Sequence, residues 1–496
     1  MRNLRKLGVL VGAATLLAGA ACGDLDITNP NNPDIERALK TPDDVKNLAI
    51  SSVNSWYFAS TDFEPFMMME VTSDALTANF GNFGMRFNNL EPRVNYDNLS
   101  TGADAGVSRQ PWDQNYAALG AANDVLLALK KGLVITNATE TDKYKELAMF
   151  TQAATLTNVA LTFDKGFVVD ESFDPSDKSA TKPTLKPYNE VAAAALAKWD
   201  ALIALSAGKA HSYDPSTLPL TVGPLTSARL NRIANTFAAA LLAFTPRNAT
   251  QAAAVDWAKV ASYAAKGIGS SGGTPFDVSV IGDATNWWSY ILYYGNDATW
   301  TRVDMRLINE MDPTQPTKFN GTVPPKATSA DARLTSDFKY WGGTSSVVIG
   351  DPGRGIYMQS PYSHIRWEYH NQQSPTSAEG PAPYLLAAEN DLLHAEALIR
   401  SGGSLATAAT LINNSRVGRG NLPAATAADG ATTLLGYIAY ERDIELLNTN
   451  GWELFRRRHI DGLQPGTLRH LPIPARELET LSIPVYTFGG VGKPDM

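Results

Sequence analysis

Apolar residues recur at three- and four-residue steps through most of this chain. Over residues 111–130 they include Trp112, Tyr116, Leu119, Leu126 and Leu127, with Asn123 on the same side. That spacing marks one face of a helix. The same period predicts helices over 143–163, 188–205, 227–244, 255–268, 384–400, 404–413 and 434–447. The segment 188–205 is Ala-rich and sets Leu196, Trp199 and Ile203 on one face. A further helix opens at Thr41-Pro42-Asp43-Asp44, where Thr caps, Pro occupies the first turn and acids face the positive end. It is predicted to run to about residue 57. The helices come in pairs with short joins, as in tetratricopeptide-like hairpin stacks. Between 270 and 380 the period is lost, and Gly, Pro, Ser, Thr and aromatics are frequent. Loops of that length inside one domain are usually functional. The prediction is a mostly α fold of helical hairpins with a long irregular region.

Composition changes this picture at the start of the chain. Arg2, Arg5 and Lys6 precede an apolar run from Leu7 to Ala21, and then comes Cys22, the one cysteine of 496 residues. A basic start, a short apolar stretch and small residues before a cut read as a secretory signal. Cys22 directly after Gly19-Ala20-Ala21 resembles the lipobox of bacterial lipoproteins, whose cysteine is acylated. Residues 1–21 are thus expected to be a lipoprotein signal peptide and 22–40 a lipidated tether. Residues 41–496 form a single domain with a loop-rich segment at 270–380. No other stretch approaches the roughly 18 apolar residues of a spanning helix. Formal net charge is −8. Loss of residues 1–21 removes three positive charges and no acid, giving −11. That balance disfavours nucleic acid, which needs basic patches.

Four stretches resemble the SusD/RagB family of outer-membrane nutrient-uptake lipoproteins. The first is Pro111-Trp112-Asp113-Gln114-Asn115-Tyr116 with Ala121-Ala122-Asn123. The second is Asp256-Trp257-Ala258-Lys259 through Tyr263-Ala264. The third is Tyr384-Leu385-Leu386-Ala387-Ala388-Glu389 through Ala395-Glu396-Ala397. The last is Glu441-Arg442-Asp443-Ile444-Glu445-Leu446, Gly451-Trp452 and Leu471-Pro472-Ile473-Pro474 with Glu477-Leu478. The resemblance implies four tetratricopeptide-like hairpins as a scaffold. It implies a surface-exposed lipoprotein of the bacterial outer membrane that sits on a SusC-like TonB-dependent transporter. Its ligand would be an oligosaccharide, or in some members a peptide, passed on without chemistry. The rivals are a surface-anchored helical glycoside hydrolase and a helical-repeat scaffold that binds only protein.

Candidate chemistry is weighed against packing. Glu441 and Glu445 lie one helical turn apart and share a face, a spacing that two glycosidase carboxylates would accept. Their apolar neighbours Ile444, Leu446 and Leu447 favour buried pairing with arginine instead. The six histidines show no zinc-helix spacing, so neither a metal nor a cofactor is expected. His364 and His370 flank Arg366-Trp367-Glu368, an alternating segment more like a strand than a metal loop. Gly489-Gly490-Val491-Gly492-Lys493 lacks the Ser or Thr and the helix of a phosphate loop and reads as a flexible tail. Two clusters carry binding chemistry. One runs from Trp287 and Trp288 through Tyr290, Tyr293 and Tyr294 to Trp300; it is either a buried helix or a platform for sugar rings. Adjacent Trp287 and Trp288 diverge by about 100° on a helix, so one is expected to pack inward. The other is Asn79-Phe80-Gly81-Asn82-Phe83-Gly84-Met85-Arg86, preceded by Ser73-Asp74; its glycines mark a loop. Asp74, Asn79, Phe80, Phe83, Arg86, Trp287, Trp288 and Trp300 are the candidate ligand-binding residues.

Overall fold

The computed structural model describes residues 41–78, 90–174, 181–220, 224–282, 301–342, 358–367 and 380–493, with 39, 179 and 287. The expected signal peptide, Cys22 and all of the tether but Leu39 and its junction lie outside them. Helix α1 (Pro42–Thr61) starts as predicted. The Asp44 N–H donates to the Thr41 hydroxyl at 3.2 Å, and the Thr41 N–H donates back to the Asp44 carboxylate, a reciprocal cap. Then come α2 (Phe63–Thr72), β1 (Leu76–Ala78), α3 (Gly106–Lys130) and α4 (Ala138–Thr162). Helix α3 begins ahead of Pro111, whose missing N–H leaves the helix one bond short. Helix α4 begins earlier than its apolar pattern because the Asn137 side chain accepts from the Glu140 N–H at 3.0 Å.

A two-stranded ribbon of β2 (Lys165–Phe167) and β3 (Leu185–Pro187) leads into α5 (Tyr188–Ser206) and α6 (Ser227–Phe244). Short helices α7 (Ala249–Ala253) and α8 (Trp257–Ala264) follow. The chain continues through β4 (Val278–Gly282), β5 (Thr301–Val303), α9 (Met305–Met311), α10 (Arg333–Ser336), β6 (Phe338–Tyr340), β7 (Tyr362–His364) and β8 (Gly380–Leu385). It closes with α11 (Ala387–Arg400), α12 (Leu405–Arg416), α13 (Gly430–Glu445), α14 (Glu453–Arg458) and α15 (Ala475–Thr480). The helices stack in series. Helix α1 packs on α3 and α4, α4 on α5, α5 on α6, α6 on α8, α8 on α11, and α11 on α12 and α13.

Helix α4 is the axis of this stack, and every residue from Phe150 to Thr162 is buried. Its small Ala and Thr side chains admit neighbours on all sides. Buried hydroxyls are satisfied locally: Thr155 donates to the Thr151 carbonyl and Thr157 to the Ala153 carbonyl, both at 2.8 Å. Aromatic rings join the layers. Trp56 meets Phe150 edge-on at 4.8 Å, Trp199 stacks on Phe237 at 5.0 Å, and Phe237 meets Trp452 at 5.5 Å.

Three expectations are corrected. Residues 384 and 385 are strand, because Pro381 and Pro383 hold the backbone extended and β8 pairs antiparallel with β4. The expected helix over 255–268 is confined to Trp257–Ala264. It ends before Gly267, where a side chain would come 1.9 Å from the Asn390 amide oxygen. The Gly489–Lys493 run is docked instead of loose. Gly489 bridges Asn95, and the Gly490 N–H donates to Gly466 at 2.8 Å. The region 270–380 also carries order that no period announced: ribbons β1–β5 and β6–β7 cover a second apolar cluster of Leu76, Val303, Leu307, Phe338 and Ile444, and β4–β8 packs Val278, Val280 and Tyr384 into the main core.

Candidate functional site

One ribbon lies next in sequence to both clusters singled out above. Strands β1 and β5 pair antiparallel with Ala78 opposite Thr301. Residue 79 follows Ala78 and Trp300 precedes Thr301. The described residues next in sequence to these two segments, Ala78 and Thr301, thus lie at the separation of paired strands, about 5 Å. At the far end of that second segment Gly282 pairs with Gly380 across β4 and β8. Strands β4 and β5 thus precede and follow, in sequence, the stretch that contains Trp287, Trp288 and Trp300.

Asp74 holds the frame of this ribbon. It turns α2 into β1 with φ 64°, a left-handed geometry that costs a non-glycine residue. It is 2% exposed. Its Oδ1 pairs with Arg93 and, at 2.7 Å, with Arg306 Nη2. Arg306 follows β5 and also grips Asp304 at 2.9 Å and Glu91 at 3.2 Å. Burial would lower the Arg306 guanidinium, but Asp304 and Asp74 outweigh it and hold its charge above the ordinary range. One buried carboxylate thus ties α2, the segment after residue 90 and the β5–α9 junction together. Asp74 anchors the ribbon from below and is enclosed by arginine.

Trp287 is 5% exposed and packs against Tyr57 with ring centroids 5.8 Å apart. It belongs to the main core. Asn79, Phe80, Phe83, Arg86, Trp288 and Trp300 lie outside the described residues. Among the described residues no three His, Cys, Asp or Glu side chains converge as a metal site, and no helix is long and apolar enough to cross a membrane.

Sequence reasoning passed over the residues that set the frame. Arg306 carried a signal in Asp304-Met305-Arg306, for the same Asp-x-Arg pattern recurs as Asp331-Ala332-Arg333. In both, the aspartate accepts from the arginine backbone N–H, at 2.8 and 2.9 Å, and from its Nε, at 2.9 and 3.0 Å. Each copy starts a short helix and fixes an arginine at its mouth.

Glu441 and Glu445 are enclosed. Arg333 forks onto Glu441 at 2.7 and 3.0 Å, and Glu445 is shared by Arg333, Arg366 and Arg419 at 3.2, 2.9 and 3.0 Å. Burial pushes the Glu441 carboxyl up and Arg333 pulls it back. Glu441 is 0% exposed.

No protein-family model matches the chain, and no curated protein sequence matches it. Solved structures do. A SusD superfamily protein from Bacteroides vulgatus ATCC 8482 superposes with TM-score 0.62 at 13% identity, over 89% of this chain and 97% of its own. Surface glycan-binding protein A from Bacteroides thetaiotaomicron gives 0.61 at 11%, over 91% and 99%. A SusD-like carbohydrate binding protein from Bacteroides fragilis NCTC 9343 gives 0.58 at 15%, over 82% and 85%. The helical stack, the ribbons and the C-terminal helices together have the fold of the SusD superfamily.

Proposed function

We propose that this chain is a cell-surface glycan-binding protein. In this reading it is tethered to a bacterial outer membrane through Cys22, breaks no bond, and passes its ligand to a SusC-like TonB-dependent transporter. One observation supports this choice of ligand site: Ala78 and Thr301, the residues next in sequence to segments 79–86 and 287–300, pair across β1 and β5. Their Phe, Asn, Arg, Trp and Tyr residues are the chemistry that grips a sugar, with rings against C–H faces and planar polar groups on hydroxyls. Two structural neighbours are named for glycan or carbohydrate binding, in keeping with this reading. Burial of Glu441 under Arg333 supports binding without hydrolysis.

The test is a glycan array on residues 23–496, followed by calorimetric titration of the best oligosaccharide against Phe83→Ala, Trp288→Ala and Trp300→Ala. Weakened binding with unchanged melting supports the site. Unchanged affinity in all three places it elsewhere, and release of reducing ends would show an enzyme. For the tether, Cys22→Ser should abolish fatty-acid labelling and membrane fractionation while leaving the fold intact.

A further inference from the structure

A second cavity, of about 380 Å³, lies where the start of α11, the end of α12 and the 270–277 loop meet. Trp287, the described residue of segments 79–86 and 287–300, does not line it. Its floor is built. Asp391, 3% exposed, accepts from the Ser270 N–H at 2.8 Å and from Asn414 Nδ2 at 2.8 Å. The Asp277 carboxylate accepts from the Ala387 N–H at 2.8 Å through Oδ1. Arg419 spends Nε on Glu445 and Nη2 on Asp337.

Polar atoms remain unused on these same residues. Among the described residues Arg419 Nη1, Asp277 Oδ2 and Asn414 Oδ1 take no partner. One donor and two acceptors therefore stand at the cavity wall. Pro275, Leu386 and Ala388 supply an apolar side. Charge selects the occupant. An anion would face Asp277 and Asp391, and a cation would face Arg366 and Arg419, so neither is welcome. The volume lies in the range of small-molecule sites.

We propose that this cavity is a second carbohydrate site, for a neutral sugar ring. Planar Arg, Asp and Asn groups take its hydroxyls, and the Pro275–Leu386 side takes its C–H face. The inference stands apart from the ribbon site and does not need it.

Saturation-transfer NMR with D-glucose, D-galactose, D-mannose and D-xylose tests it, with glycylglycine as a zwitterionic control. Four proteins are compared. They are the full chain, the Trp288→Ala/Trp300→Ala double variant, and that double variant carrying either Asn414→Trp to fill the mouth or Asp277→Asn to keep the Ala387 bond but invert the free acceptor. At least one sugar should receive saturation from the full chain and from the double variant. That signal should vanish in Asn414→Trp and fall in Asp277→Asn, with melting checked for each. A signal that survives Asn414→Trp, or one that disappears in the double variant, overturns the proposal. So does silence with all four sugars, or displacement of the sugar by glycylglycine. Failure of the ribbon site instead shows as unchanged oligosaccharide affinity in the double variant, a separate readout.

Discussion

At the scale of single residues, this protein spends charge on burial. Arg333, Glu441 and Asp331 are fully enclosed, and the Tyr440 hydroxyl adds a bond to Asp331 at 2.8 Å. Such a cluster stabilises little against an apolar substitute, but removal of one member leaves the others unpaired. Glu441→Gln should therefore cost about 3 kcal/mol, read from urea unfolding, and should leave oligosaccharide affinity unchanged. A loss of binding without loss of stability would reopen a ligand role for Glu441. His364 is the other case. It is 1% exposed, neither ring nitrogen has a partner, and burial lowers its pKa to about 3 despite Asp337 beside it, with Arg366 and Arg419 adding to the drop. The folded state keeps it neutral, whereas the unfolded chain protonates it near the ordinary 6.5. Its stability contribution is therefore complete above pH 6.5 and is lost as pH falls toward 3. Between pH 6.5 and 5.5 the loss from this one group is on the order of 1 kcal/mol. His394 and His470 are also lowered by burial and act in the same direction. The comparison with His364→Leu isolates its share: the variant should lose less stability over that interval. Parallel curves would place the imidazole in contact with water.

At the scale of elements, the long helices were legible and the ribbons were not. Helix α6 runs over the residues its period and the stop at Pro246 mark out, because eighteen residues give five turns of repeated signal. Strands of three residues, such as β1 and β5, offer one alternation, which any loop can mimic. The apolar run at Tyr384–Leu386 was absorbed into the helix it precedes, although Pro381 and Pro383 were there to argue for extension. Residues that matter to the site through partners far along the chain, Arg306 above all, have no local signature beyond their Asp-x-Arg pattern. Trp287 faces Tyr57 in the core. Trp287→Ala should cost about 3–5 kcal/mol, seen as an earlier denaturation midpoint, whereas Trp288→Ala should leave the midpoint in place. Equal destabilisation by both would make the whole segment core.

At the scale of the whole molecule, net charge constrains the ligand. The chain carries −8 overall, and acids outnumber bases by 50 to 42. The cations at and beside the ribbon are already committed: Arg302 of β5 is buried over the Trp341 ring at 5.9 Å, Arg306 is held by Asp74, Asp304 and Glu91, and Arg93 by Asp74 with a bond to Thr467 at 3.0 Å. No reserve of free positive charge is visible there among the described residues. A sulfated or uronic glycan would be repelled at long range and would find no bare arginine pair at the frame. A neutral oligosaccharide meets neither obstacle, because its recognition rests on ring contact and short hydrogen bonds that salt does not screen. Its dissociation constant should shift by less than about twofold between 50 and 500 mM NaCl. Titration calorimetry at the two salt concentrations decides this. A steep weakening with salt would mean that arginines and lysines outside the described frame, Arg86 first among them, gather a polyanion, and the neutral-glycan reading would fall.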